Sequence, residues 1–182
     1  LSIEKVILID EFNNFKIDGQ ISANKVISPN FIKFNDLLNN TSIEIKFEQV
    51  PFNHPVYIMY SSGTTGKPKC IVHGAGGTLL QHFKELHLHT DVKREDKITY
   101  YTTCGWMMWN WLVSGLQLGA SIVLIDGSPV YPDSEILWRQ IEEEGITIFG
   151  TSPKYLSSIE KSGFTPKEKF DLSKLKIILS TG

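Results

Sequence analysis

"VYIMYSSGTTGKPKCIVHGAGG", Val56 to Gly77, sets two short apolar runs on either side of a polar loop and closes with three glycines. The loop, Ser61–Lys69, holds two Gly, four hydroxyl residues, two Lys and one Pro. Such a composition suits a flexible linker. It also suits an anion cradle. Gly63 and Gly66 permit backbone angles that aim successive N–H groups at one point. Ser61, Ser62, Thr64 and Thr65 add hydroxyl donors, Lys67 and Lys69 add point charges, and Pro68 stiffens the exit. The flanking runs read as buried strands, and a domain linker should not join two strands of one core. A G-x-x-x-x-G-K-[ST] phosphate loop is excluded: Ser61 stands where that motif needs its first Gly, and Pro68 where it needs Ser or Thr.

Upstream, "KVILI" (5–9) is a continuous apolar run expected to form a strand buried on both faces. Residues 10–30 are Asn-rich and polar and read as surface connection. "NFIKFNDLL" (30–38) places Phe31, Phe34, Leu37 and Leu38 at helical spacing, and "NNTS" stops it. Downstream, "CIVH" (70–73) reads as strand, and Gly74, Gly76 and Gly77 open a helix to about Leu88. Next come the strand "ITYYTT" (98–103), the helix "WMMWNWLVSGLQL", apolar nearly all round and so expected to be buried, and the strand "SIVLI" (121–125). Asp133 or Ser134 can cap the helix "EILWRQIEEE", with carboxylates against Arg139 and Gly145 as its stop. "ITIF" (146–149) is strand, Ser152-Pro153 starts the helix "KYLSSIEKS", and "LKIILS" (175–180) closes the series as strand.

Strands separated by helices predict an α/β fold with mostly parallel sheets covered by helices. Ligands in such folds sit at the carboxyl ends of strands. Three chemically marked stretches fall there: Ser61–Lys69, Gly105–Trp111 and Ser180–Gly182.

Whole-chain properties narrow the class. The 182 residues are 41% apolar and 21% charged, as in an ordinary soluble domain. Eighteen Lys and Arg against 20 Asp and Glu leave a net charge of −2, with no basic stripe for nucleic acid. No apolar run reaches the roughly 18 residues that span a bilayer. Two cysteines, Cys70 and Cys104, form no framework or C-x-x-C pair; they read as buried packing residues in a reducing, cytoplasmic setting. His87 and His89, two apart on a helix, point away from each other, and His82 is too far round to share an ion, so no metal site is expected. The start at Leu1 and stop at "ILSTG" read as an excerpt of a longer protein.

"YSSGTTGKPK" (60–69) resembles the [ST]-[ST]-G-[ST]-T-G-x-P-K signature of the adenylate-forming superfamily, which includes acyl-CoA synthetases, luciferases and peptide-synthetase adenylation domains. "FEQVPFNHPVYIMYSSGTTGKPKCIVHGAGGTLLQHFKE" and "YYTTCGWMMWNWLVSGLQLGASIVLIDGSP" are similar to its acetoacetate–CoA ligases. This likeness runs from about Phe47 to Gly182. The resemblance implies a piece of the large N-terminal AMP-binding domain, spanning residues 1–182. It implies acetoacetate, ATP and coenzyme A as substrates, Mg2+ as the ion accompanying ATP, and an acyl-adenylate intermediate. Ser61, Ser62, Gly63, Thr64, Thr65, Gly66, Lys67 and Lys69 would then form a mobile loop on the ATP phosphates. Ser180, Thr181 and Gly182 would border adenine, and Trp106, Met107, Met108, Trp109 and Asn110 the acyl and coenzyme A side. Read without the resemblance, "GWMMWNW" is equally a buried helix, with Trp106/Asn110 and Met107/Trp111 as i,i+4 pairs. Ser180 is equally a strand-terminal turn. The family often has His where Asn110 stands. Its magnesium-linked Glu, ribose-binding Asp and catalytic Lys are expected beyond residue 182, so the piece alone is expected to be inactive. Another short-chain acyl-CoA synthetase, or a non-catalytic nucleotide-binding module of the same fold, fits the same residues.

Overall fold

The computed structural model describes residues 5–8, 30–38, 44, 46–61 and 66–181, and the chain divides into two units, Leu1–Gln49 and Val50–Gly182. In the first, β1 (Lys5–Leu8) pairs in parallel with β2 (Asn30–Lys33), Lys5 opposite Asn30 and Leu8 opposite Lys33. A single turn of helix, α1 (Phe34–Leu38), follows. The helix expected over 30–38 thus begins only at Phe34. "NFIK" is drawn into the ladder instead, because pairing with "KVIL" satisfies backbone groups that one extra helical turn would leave open. Ile7 is exposed, so β1 is not covered on both faces as its apolar run suggested. The polar stretch 10–29 and the "NNTS" stop lie outside the described residues.

The second unit begins with an antiparallel hairpin, β3 (Pro55–Ser61) and β4 (Lys69–Gly74), with Ser61 opposite Lys69 at its mouth. Only a loop joins these strands, so they cannot take the parallel arrangement that a crossover allows. They are not the buried strands the sequence suggested: Val56, Ile58, Tyr60, Ile71 and Val72 are all exposed. Helix α2 (Ala75–Lys84) continues into one π-helical turn, Glu85–His89, matching the expected end near Leu88.

The rest is a doubly wound parallel sheet. Strand β5 (Lys97–Tyr100) leads through α3 (Met107–Val113) and a 3-10 turn (Ser114–Leu118) to β6 (Ser121–Ile122). Helix α4 (Ile136–Glu144), β7 (Ile148–Thr151), α5 (Pro153–Lys161) and β8 (Ile177–Ser180) complete it. All pairs are parallel, in the order β6-β5-β7-β8. The chain steps outward from β5 to β6, then crosses back to β7, so helices cover opposite faces. Strand alternation divides the core accordingly. Ile98, Tyr100 and Ile148 pack with Met108, Trp111, Leu112 and Leu86 on one face. Phe149 and Tyr101 pack with Leu137, Trp138, Ile141, Tyr155 and Ile159 on the other. Each fully buried side chain of this size contributes about 1.5–3 kcal/mol.

Local signals set the helix ends. Ser152 Oγ accepts the Tyr155 N–H at 3.2 Å, with Pro153 in the first turn, as expected. Neither Asp133 nor Ser134 caps α4; the cap residue is Glu135, without a side-chain bond. Asp133 instead accepts the Glu135 N–H at 2.9 Å and Arg139 Nη2 at 3.1 Å, a turn that feeds the helix rather than starting it. Gly145 ends α4 in the left-handed conformation. At the amino ends of the strands, Asp96, 1% exposed, accepts from the Lys93 N–H, Thr147 Oγ1 and Lys176 Nζ at 2.7–2.8 Å. Burial alone would raise its pKa. The bonds from Lys176, the Lys93 backbone and Thr147 outweigh that and hold the carboxyl below its usual value.

Candidate functional site

The carboxyl ends of β5 and β8 open into a cleft of about 580 Å³. Tyr100 forms its floor. A Cβ on Gly150 would lie 2.0 Å from the Tyr100 ring, so glycine there lets the ring cross the neighbouring strand. The ring stands edge-on to Trp106 and Trp111, with centroids 6.1 and 6.3 Å away. Its hydroxyl points to the Thr151 carbonyl at 3.4 Å.

Two of the stretches marked in the sequence meet here. Met107, Met108 and Trp111 from α3 form one wall, and Leu179 and Ser180 from β8, with Thr181 just beyond it, form another. Trp106 touches Tyr100 without lining the cleft itself. Trp109 is half-buried. Asn110, 8% exposed, turns toward the hairpin and donates from Nδ2 to Met59 Sδ at 3.3 Å. Of the loop residues, Ser61 and Lys69 close the mouth of the hairpin outside the cleft lining, and Gly66, Lys67 and Lys69 are exposed. Gly66 takes φ 135°, a conformation natural to glycine. From Lys69 to His73, where β4 reaches the cleft, is about 13 Å along the strand. Ser62, Gly63, Thr64, Thr65 and Gly182 lie outside the described residues.

Sequence reading missed the polar wall. His73, Gln81, His82 and Glu85 line the cleft, and the first three also line an adjoining hollow of about 330 Å³. His82 is buried, and its Nδ1 lies 2.8 Å from Ser114 Oγ. Ser114 donates its single proton to the Asn110 carbonyl at 2.9 Å, so it must accept from His82. Neutral His82 therefore carries its proton on Nδ1 and presents a bare Nε2. Burial lowers its pKa, His73 lowers it further, and Glu85 opposes both. The sequence weighed His82 only as a metal ligand. The contact to Ser114, 32 residues away, had no local signal.

Cys70 and Cys104 are exposed free thiols, not buried packing residues. Cys70 lies opposite Tyr60 in the open hairpin, and Cys104 lies in the turn after β5. Among the described residues no group of three or more His, Cys, Asp or Glu could hold a metal ion, and no helix is long and apolar enough to cross a membrane.

A family model described as AMP-binding enzyme matches residues 5–182. The chain belongs to that family. The match takes in the N-terminal residues, beyond the Phe47 start that sequence resemblance marked. Acetoacetyl-coenzyme A synthetase of Rhizobium meliloti (strain 1021) is 55% identical over 136 residues, covering 75% of this chain and 21% of that protein. Malonamoyl-CoA synthetase vrtB of Penicillium aethiopicum is 46% identical over 153 residues, covering 76% and 21%. The solved acetoacetyl-CoA synthetase from Streptomyces lividans superposes with a TM-score of 0.83 at 42% identity, covering 98% of this chain and 26% of that one. This AMP-binding chain is thus a homologue of acetoacetyl-CoA synthetases with an α/β fold, and it spans about a quarter of the length of the curated relatives it matches.

Proposed function

We propose that the protein carrying this chain is an ATP-dependent acetoacetate–CoA ligase, and that the chain supplies part of its N-terminal AMP-binding domain. In this reading acetoacetate attacks the α-phosphorus of ATP, giving acetoacetyl-AMP and pyrophosphate, and the coenzyme A thiol then displaces AMP. Both relatives' names specify acids with a carbonyl β to the carboxylate, and the chain is similar to each. The observation that carries the proposal is the meeting of α3 and the end of β8 in one cleft at the carboxyl edge of the sheet. In this reading Met107, Met108 and Trp111 would line an apolar acid site beside Ser180 and Thr181, which together with Gly182 would border adenine.

The hairpin loop, Ser61–Lys69, would hold the β- and γ-phosphates, with Lys67 and Lys69 neutralising charge and Gly66 bringing the backbone close. Trp106 supports the acid site through Tyr100, and Trp109 and Asn110 belong to the same helix on the coenzyme A side. Catalysis here is positioning plus charge neutralisation at phosphorus. Mg2+ would enter with ATP; the described residues offer it no cage, and no step here depends on one.

The test uses the full-length protein in acetoacetate-dependent ATP–pyrophosphate exchange. Exchange should require acetoacetate, and Lys69→Ala should reduce it by about 1.5–3 kcal/mol of transition-state stabilisation, the worth of one charge-assisted contact. Lys69 is exposed, so the unfolding midpoint should stay where it is. Absence of acid-dependent exchange would defeat the ligase reading. Unaltered exchange in Lys69→Ala would remove Lys69 from the phosphate site.

A further inference from the structure

The α3 wall of the cleft, Met107, Met108 and Trp111, is apolar, yet a β-oxo acid brings a second carbonyl oxygen into it. A carbonyl taken out of water without a donor is strongly disfavoured. Several lining side chains carry donors, Thr90, Ser180 and Thr181 among them, but none of these can change its charge near neutral pH. Gln81 spends an amide proton on Glu85 Oε1 at 2.9 Å, and Tyr100 directs its hydroxyl at Thr151. His82 differs. It lines the cleft and is held through Nδ1 by Ser114 Oγ and the Asn110 carbonyl, so the one ring nitrogen engaged within the described residues is Nδ1.

We propose that His82 is a selectivity residue for the acid: on binding of a β-oxo carboxylate its Nε2 takes up one proton from solvent and offers the new N–H as a hydrogen bond to the β-carbonyl oxygen. This rests on the ligase reading above. No covalent bond is made or broken except the new N–H, and the imidazolium charge is balanced by the incoming carboxylate.

The surroundings favour that exchange. Glu85, one turn on, draws His82 toward its charged form, while His73 from β4 opposes it. His89 from the π-helical turn and Tyr100 from β5 also line the cleft. Helix α3 and the 3-10 turn, "MMWNWLV" and "SGLQL", present no charged group at all. Burial is the largest influence on the ring and lowers its pKa, favouring the neutral imidazole. A substrate carboxylate within a few ångströms adds a second anion and tips it toward protonation. A saturated acid such as butyrate has no β-oxygen to accept that hydrogen bond, so it gains nothing from the charged ring.

The experiment again uses the full-length protein. Calorimetric titration with acetoacetate near neutral pH, in two buffers of different ionisation enthalpy, should report uptake approaching one proton per acid bound. His82→Gln keeps an N–H donor but does not titrate, so its uptake should fall to near zero while acetoacetate remains preferred over butyrate. His82→Leu should lower the acetoacetate-to-butyrate ratio of kcat/KM about ten- to a hundredfold, with the KM for ATP unchanged. Wild-type binding without proton uptake, or an unchanged ratio in folded His82→Leu, would overturn the proposal. If His82→Leu does not fold, the buffer-pair titrations of the wild type and His82→Gln decide the question. A protein that binds acetoacetate with a proton yet activates no acid would sink the ligase reading and leave the role of His82 standing.

Discussion

The β5–β8 sheet and the β3–β4 hairpin are built from similar sequences and end in opposite situations. "ITYY" and "VYIMY" are both short apolar runs rich in β-branched and aromatic residues. In β5, Ile98 and Thr99 are fully buried and Tyr100 nearly so. In β3, Val56, Ile58 and Tyr60 face outward, between 47% and 70% exposed, while Tyr57 and Met59 are half-buried on the other side. An apolar run specifies a strand; the layers packed on it specify burial. The sheet has α3 on one face and α4 and α5 on the other, whereas the open face of the hairpin has no cover among the described residues.

Core deletion tests this contrast most strongly. Phe149→Ala, in the middle of the sheet at 0% exposure, should cost about 3–5 kcal/mol in urea denaturation. Ile58→Ala on the hairpin should cost less than about 1 kcal/mol in the same chain. Equal costs would mean that the hairpin face is covered after all.

A smaller effect is expected at the amino edge of the sheet. Asp96→Ala removes the shared acceptor of three donors from three segments and should cost about 2–3 kcal/mol. Acid sharpens this prediction. The folded carboxyl titrates below its unfolded value, so its contribution is complete above the unfolded pKa of about 3.9. It disappears as pH falls through the lower folded value. Wild-type and variant stabilities should therefore converge on acidification, and a gap that widened with acid would contradict the network. The smallest effect belongs to a cap: Ser152→Ala should lower stability by about 1 kcal/mol, read as a shift in the denaturation midpoint.

Much of the sheet was legible because its signals are local. The start of α5 needed only Ser152-Pro153, and the end of α4 needed only Gly145 after an amphipathic run. Where local signals compete, reading failed: "NFIK" fits helical spacing, but the ladder with β1 wins it. The same limit explains the cysteines. Small apolar side chains are usually buried, and nothing near Cys70 in sequence reveals that its strand lies at an open surface.

For the candidate site, sequence alone determined the parts. A Gly/Ser/Thr/Lys loop between strands, an aromatic helix after β5 and a polar strand end at Ser180 are each set by neighbours a few residues away. Only the tertiary structure decided which of them meet. The crossover from β6 back past β5 brings β8 and α3 to one cleft, and the hairpin sets Ser61 and Lys69 at its own mouth instead. The same packing sets His82 against Ser114 and so fixes which ring nitrogen is bare. Hydrogen bonds of that kind act over about 3 Å in space, and no spacing along the chain encodes them.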